Sequence, residues 1–113
     1  PPSSCQQGYY DRAGVCMAGG RTPEETLESF LTNLEQGDIE EALLYVGLNT
    51  RTALREELQK RNPVEVAAQL RGAPTFMEQR RGKYREMQFQ IDEEIYTISF
   101  HCGENDICKI ISF

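Results

Sequence analysis

His101 is the single histidine of the chain, and the stretch Thr97-Ile98-Ser99-Phe100-His101 alternates, putting the imidazole on one face with Thr97 and Ser99. Acid–base or metal chemistry from a histidine needs oriented carboxylates or further ligands beside it. That face offers Lys109 instead, so His101 reads as a surface imidazole. The second group with chemical potential is Cys5, Cys16, Cys102 and Cys108, two local pairs at the two ends of the chain. A structural zinc site closes on cysteines about two to four residues apart. Ten residues separate the first pair and five the second, so disulfides are expected, and with them an oxidising compartment. Three connectivities are open to four cysteines. The terminal hairpin described below favours Cys102 with Cys108, leaving Cys5 with Cys16.

Other candidate chemistries find little support. Asp92, Glu93 and Glu94 are a carboxylate cluster without the alternating oxygen ligands, central glycine and terminal glutamate of a calcium loop, and read as a solvated turn. No serine or cysteine nucleophile has a histidine partner, and no glycine-rich phosphate loop follows a strand. No cofactor or metal is expected.

The elements that position these residues are legible in part. Thr22 is an N-cap, Pro23 suits the first helical position and Glu25 stands where a capping box requires it. Leu27, Phe30, Leu31 and Leu34 share one face, and Gly37 is placed for a C-cap. Asp38 caps a second helix with Ile39, Ala42, Leu43 and Val46 inward, stopped at Gly47. A third helix is expected over 49–61 with Ala53, Leu54 and Leu58 as its stripe. Asn62 and Pro63 end it and start a fourth through Val64, Val66, Ala67 and Leu70, closing at Gly72. From Thr75 the period becomes two. A strand around Phe76–Arg80 turns through Arg81 and Gly82 into one beginning near Tyr84. Met87, Phe89 and Ile91 point one way, and Tyr96, Ile98, Phe100 and Cys102 share a face of the next strand. With Glu93 and Glu94 as a two-residue loop, Phe89 opposes Ile98 and Ile91 opposes Tyr96. Symmetry about Asn105 in the last hairpin sets Cys102 against Cys108, His101 against Lys109, Phe100 against Ile110 and Ile98 against Ser112. Residues 1–21 read as an irregular, disulfide-clipped N-terminal arm, with a small hairpin turning at Asp11–Gly14, and residues 22–113 as one domain.

Composition bounds the function. The chain has 113 residues, 39% of them hydrophobic and 27% charged, the range of one globular domain. Its apolar runs fall far short of the roughly 18–20 residues of a membrane span. The net charge of -6 is the wrong sign for binding nucleic acid through phosphate neutralisation. The absence of an initial methionine and of a signal peptide suits a mature or trimmed ectodomain whose targeting or lipid-anchoring segment has been removed. Charge is segregated: residues 22–47 hold seven acids and no base, whereas residues 71–85 hold Arg71, Arg80, Arg81, Lys83 and Arg85 against Glu78. Such asymmetry either steers a partner or draws the two regions together within the fold. Arg80, Arg81, Lys83 and Arg85 are the candidate partner surface, for an acidic protein or an anionic envelope component.

The segment TPEET opening a Leu- and Phe-striped helix, the step QGDIEEAL into a second helix and the closing strand CKIISF together resemble small NTF2-like domains. The likeness is particularly to the cystatin-like branch found on bacterial cell-envelope lipoproteins of unknown function. The resemblance covers residues 22–113 and implies an α+β fold, with N-terminal helices packed on a curved antiparallel sheet of three to four strands. The family's last strand commonly carries an aromatic residue, then Lys and Ile. Lys109 and Ile110 fit, and Cys108 stands at the aromatic position. NTF2-like enzymes place a carboxylate base and a phenolic or acidic partner inside the cone. Tyr45, Tyr84, Tyr96 and Glu86 supply these residue types, but the inward face of Met87, Phe89, Ile91, Ile98 and Phe100 carries no acid. The expected function is therefore a noncatalytic, periplasmic or extracellular domain that binds a protein partner or a small apolar ligand on the concave apolar face of Phe89, Tyr96, Ile98, Phe100 and Ile110. An NTF2-like enzyme and a structural subunit of an envelope or secretion assembly are the alternatives.

Overall fold

The computed structural model describes residues 10–12, 15–17, 20–73, 75–103 and 107–113, with 10–12, 15–17 and 76–81 described by their backbone. It is an α+β fold whose helices precede a four-stranded antiparallel sheet. Helix α1 spans Pro23–Glu35 and α2 Ile39–Ala42, followed by a 3-10 turn over Leu43–Tyr45. Helix α3 spans Leu48–Lys60 and α4 Pro63–Gly72. In the N-terminal segment, β1 (Tyr10–Arg12) pairs antiparallel with β2 (Val15–Met17). The sheet has the order β3 (Thr75–Arg81), β4 (Tyr84–Ile91), β5 (Glu94–Cys102) and β6 (Cys108–Ser112). Among the described residues, no helix is long and apolar enough to cross a membrane.

The start of α1 follows from its sequence. The Thr22 hydroxyl accepts the Glu25 N–H at 3.1 Å, and the Glu25 carboxylate accepts the Arg21 N–H at 2.8 Å. The box thus closes one residue earlier than the N-cap itself. Leu27, Phe30, Leu31 and Leu34 turn inward onto Met87, Phe89, Ile98, Phe100 and Ile110 of the sheet. Burying such side chains is the main stabilising term, roughly 1.5–3 kcal/mol each. Val64, expected on the inner stripe of α4, is exposed, and Ala67 and Leu70 face the core instead.

Two registers differ from expectation. The β4–β5 loop is Asp92–Glu93, one residue earlier than predicted, so Phe89 opposes Tyr96 and Met87 opposes Ile98. Asp92 takes φ 57°, a left-handed conformation that a short polar side chain tolerates better than glutamate does. The shift preserves side-chain parity, which is why the apolar faces still match. In the last hairpin Cys102, His101 and Phe100 oppose Cys108, Lys109 and Ile110, but a bulge between Ser99 and Phe100 brings Ser99, not Ile98, opposite Ser112.

The β6 edge is tied to the helices. Gly20 bridges to Cys108 and Val46 to Ile110. The Cys108 N–H donates to the Gly20 carbonyl at 2.8 Å, and the buried Thr26 hydroxyl donates to the Cys108 carbonyl at 2.8 Å while accepting the Gly20 N–H at 2.9 Å. A side chain at Gly20 would meet the Glu25 Cβ at 2.4 Å, so this crossing requires glycine. Further along, the Gly47 N–H donates to the Ile110 carbonyl at 2.7 Å and the Thr50 hydroxyl to the Ile111 carbonyl at 2.6 Å.

The segregated charge is partly consumed within the fold. Arg71 of α4 donates to Glu28 at 2.6 Å and Glu35 at 2.8 Å on α1, and Arg55 of α3 donates to Glu40 of α2 at 2.8 Å. These contacts hold the Glu28 and Glu40 carboxyls below the usual carboxylate range, through the hydrogen bonds from Arg71 and Arg55 respectively.

Candidate functional site

The predicted apolar face divides in two. Phe89, Ile98, Phe100 and Ile110 are the floor of the core and are buried beneath the helices. An open concave wall of all five residues is therefore corrected: the helices cover four of them because the sheet's apolar face must be shielded from water. Tyr96 alone stays 43% exposed. It stands at the β4–β5 hairpin end, beside a cavity of about 410 Å³ between that end of the sheet and helices α3 and α4.

This cavity is built from the helical stripes. Leu54 and Leu58 reach it from α3, Val66 and Leu70 from α4, and Ile91 and Ile98 from the sheet, while Tyr96 and Phe113 also line it. Phe113 is 44% exposed, yet its ring packs at 5.5 Å from that of the buried Phe30, so the lining is continuous with the core. Asn62-Pro63 sets the geometry. The Asn62 side chain accepts the Val64 N–H at 2.9 Å, ending α3 and starting α4 within two residues, so the two apolar stripes converge. Polar groups also line the cavity: Arg61 pairs with Glu57 at 3.7 Å, and the Tyr96 hydroxyl donates to Glu94 at 2.8 Å. That hydrogen bond raises the Tyr96 pKa above the ordinary phenol value. The lining matches the common pattern of a small-molecule site, apolar walls with a few polar groups, at a volume within the usual range of roughly 300–1,000 Å³.

The remaining predicted residues lie apart from it. Cys102 and Cys108 form a disulfide with their Cα atoms 4.0 Å apart. A Cys5–Cys16 bridge falls outside the described residues. In the candidate partner surface, Arg80 and Arg81 lie on β3 opposite Arg85 and Tyr84. Lys83 is exposed in the turn, and the Arg85 guanidinium donates to the carbonyls of Gly82 and Tyr84. Tyr45 packs against the core, Tyr84 is exposed, and Glu86 is half-buried on β4 opposite Ser99, so these three do not gather around Tyr96. Asp92 and Glu93 form the β4–β5 turn and Glu94 follows it. Among the described residues, no three His, Cys, Asp or Glu side chains are grouped to hold a metal ion.

Sequence reasoning missed Arg61, Gln69 and Phe113 as lining residues, and Leu54, Leu58, Val66 and Leu70 were read as core. The available signal was the pairing of two apolar stripes across a two-residue Asn-Pro break, combined with a tyrosine on the inner face of a strand otherwise filled by Ile and Phe. No protein-family model, curated protein or solved structure matches this chain.

Proposed function

We propose that the chain is a noncatalytic binding domain of the NTF2-like type that works in an oxidising extracytoplasmic compartment and takes a small apolar ligand in the cavity between α3, α4 and the sheet. The observation that carries the reading is the lining of that cavity. Six leucine, valine and isoleucine side chains and two partly exposed aromatic rings, Tyr96 and Phe113, line it, with Glu57, Arg61, Gln69, Asp92 and Thr97 as its polar groups. Supporting the compartment is the Cys102–Cys108 disulfide. Supporting the NTF2-like assignment are helices laid across one face of an antiparallel sheet and a closing strand with Lys109 and Ile110. Against catalysis in the cone stands the described inner face of β4 and β5, which is filled by Met87, Phe89, Ile98 and Phe100.

The test is fluorescence of the neutral probe N-phenyl-1-naphthylamine, whose emission rises in apolar surroundings. We expect saturable, single-site enhancement. Val66→Phe and Gln69→Trp, which fill the cavity from a half-buried and an exposed helix position, should each abolish it while the melting temperature holds. Absence of a saturable signal, or a signal unchanged in both variants, overturns the reading.

A further inference from the structure

On the other face of strand β5 lies a second cavity of about 480 Å³, bounded by the start of α3 and by Tyr84, His101, Lys109 and Ile111. It owes its shape to alternation. Ile110 points into the core, so its neighbours Lys109 and Ile111 point away from it, and Lys109 stands opposite His101 across the β5–β6 pair. The Val46–Gly47 bridge to Ile110 then swings the first turn of α3 over this outer surface. Lys109 is left only 8% exposed.

Three features give this cavity a definite chemistry. First, among the described residues its charged lining is cationic, with Lys109 and His101 and no Asp or Glu. The Lys109 ammonium has three N–H donors, so it can hold a ligand's anionic group beside the contact it makes inside the fold. Second, the imidazole is held in place. Tyr84 meets it edge-on with ring centroids 5.3 Å apart, and on its other flank Gly103 lies so close that a Cβ there would stand 2.5 Å from the His101 Cε1. Third, Leu48 and Ile111 add apolar walls, which a fully hydrated inorganic ion would leave unused.

We propose that this cavity binds a small aromatic carboxylate, with its carboxylate on the Lys109 ammonium and its ring against Tyr84 and His101. Charge-assisted hydrogen bonding sets the anionic end, and edge or offset contacts between rings set the other. The site is separate from the α3–α4 cavity, and its occupancy does not depend on that one.

The experiment is a titration of the full chain, disulfides intact, with benzoate, benzyl alcohol and inorganic phosphate, followed by amide chemical shifts. Benzoate should shift the amides of Leu48, His101 and Lys109 saturably, and benzyl alcohol, which has the ring without the charge, should not. Lys109→Met should weaken benzoate by about tenfold or more, the effect of losing one charge-assisted hydrogen bond. Gly103→Ala, which displaces the imidazole without touching the ammonium, should weaken it severalfold and leave phosphate unaffected. Equal binding of benzyl alcohol, phosphate competing as tightly as benzoate, shifts confined to Leu58 and Ile98, or no saturable shift with benzoate would each overturn the proposal. The comparison of the three probes on the unmodified chain decides the matter even where Lys109→Met fails to fold.

Discussion

At the β6 edge of the sheet, Gly20 and Gly47 both bond to the strand, Thr26 and Thr50 donate to its carbonyls, and the Cys102–Cys108 bridge clamps it to β5. At the opposite edge, β3 is paired through its hairpin to β4 and, among the described residues, through nothing on its outer side. Both cavities draw on β5 and on α3, the helix whose start is bonded to β6. Among the described residues, neither is lined by β3. A binding geometry has to be held by elements that do not fray, and the closely tied edge is where this chain has such elements. The β3 edge carries Arg80 and Arg81, leading into Lys83 and Arg85, and cationic side chains on an open edge discourage unwanted strand pairing.

The largest break in this comparison is expected from Ile110→Ala. Ile110 is fully buried, opposes Phe100, accepts the Gly47 N–H and bridges to Val46. Its truncation leaves a cavity under the tied edge and should cost about 2–5 kcal/mol. Thermal or urea unfolding measures this directly, and a loss below about 1 kcal/mol would mean that β6 is not the anchor described here.

A smaller effect is expected from replacing both Cys102 and Cys108 with alanine. The bridge closes a loop with a sequence separation of 6, and in the chain-entropy model so short a loop contributes about 2 kcal/mol. Because Gly20, Thr26 and Thr50 hold β6 independently, the variant should still fold, with amide exchange accelerated first in β6 and not in β3. Exchange that rises equally in both strands would erase the distinction between the two edges.

The same contrast explains what could be read from sequence. Thr22-Pro23 with Glu25 announces α1, because a capping box is a local event. The cysteine spacing and the turn residues between the cysteines set the Cys102–Cys108 register for the same reason. The β4–β5 loop was misplaced by one residue because the choice between Asp92-Glu93 and Glu93-Glu94 rests on which side chain tolerates a positive φ, and the alternating pattern satisfies either. The bulge at Ser99 leaves no mark in an alternating strand. Neither cavity was legible, since each depends on where α3 lands. The apolar stripe of α3 shows that it packs, but the contacts that carry its first turn across β6, from Val46 and Gly47 to Ile110 and from Thr50 to Ile111, join residues distant in the chain. Tyr96 was assigned to the right face with no indication that the helices would stop short of it.

The smallest expected effect separates the helical layer from the sheet edges. Arg71 joins α4 to α1 through Glu28 and Glu35, and its guanidinium holds the Glu28 carboxyl below the ordinary carboxylate range. A carboxyl whose pKa is depressed in the folded state stabilises the fold above its unfolded pKa. It loses that contribution as the pH falls through the lower folded value. The Glu28 side chain is 62% exposed, so solvent screening keeps the contribution below about 1 kcal/mol at neutral pH. Glu28→Gln should therefore lower stability slightly at pH 7, and the difference from the parent chain should vanish in acid, once Glu28 is protonated in both folded and unfolded states. Melting curves across that acidic range test the point, with Glu40→Gln expected to behave in the same way through Arg55. A deficit that persists unchanged in acid would show that Glu28 acts through packing on α1, not through its charge on Arg71.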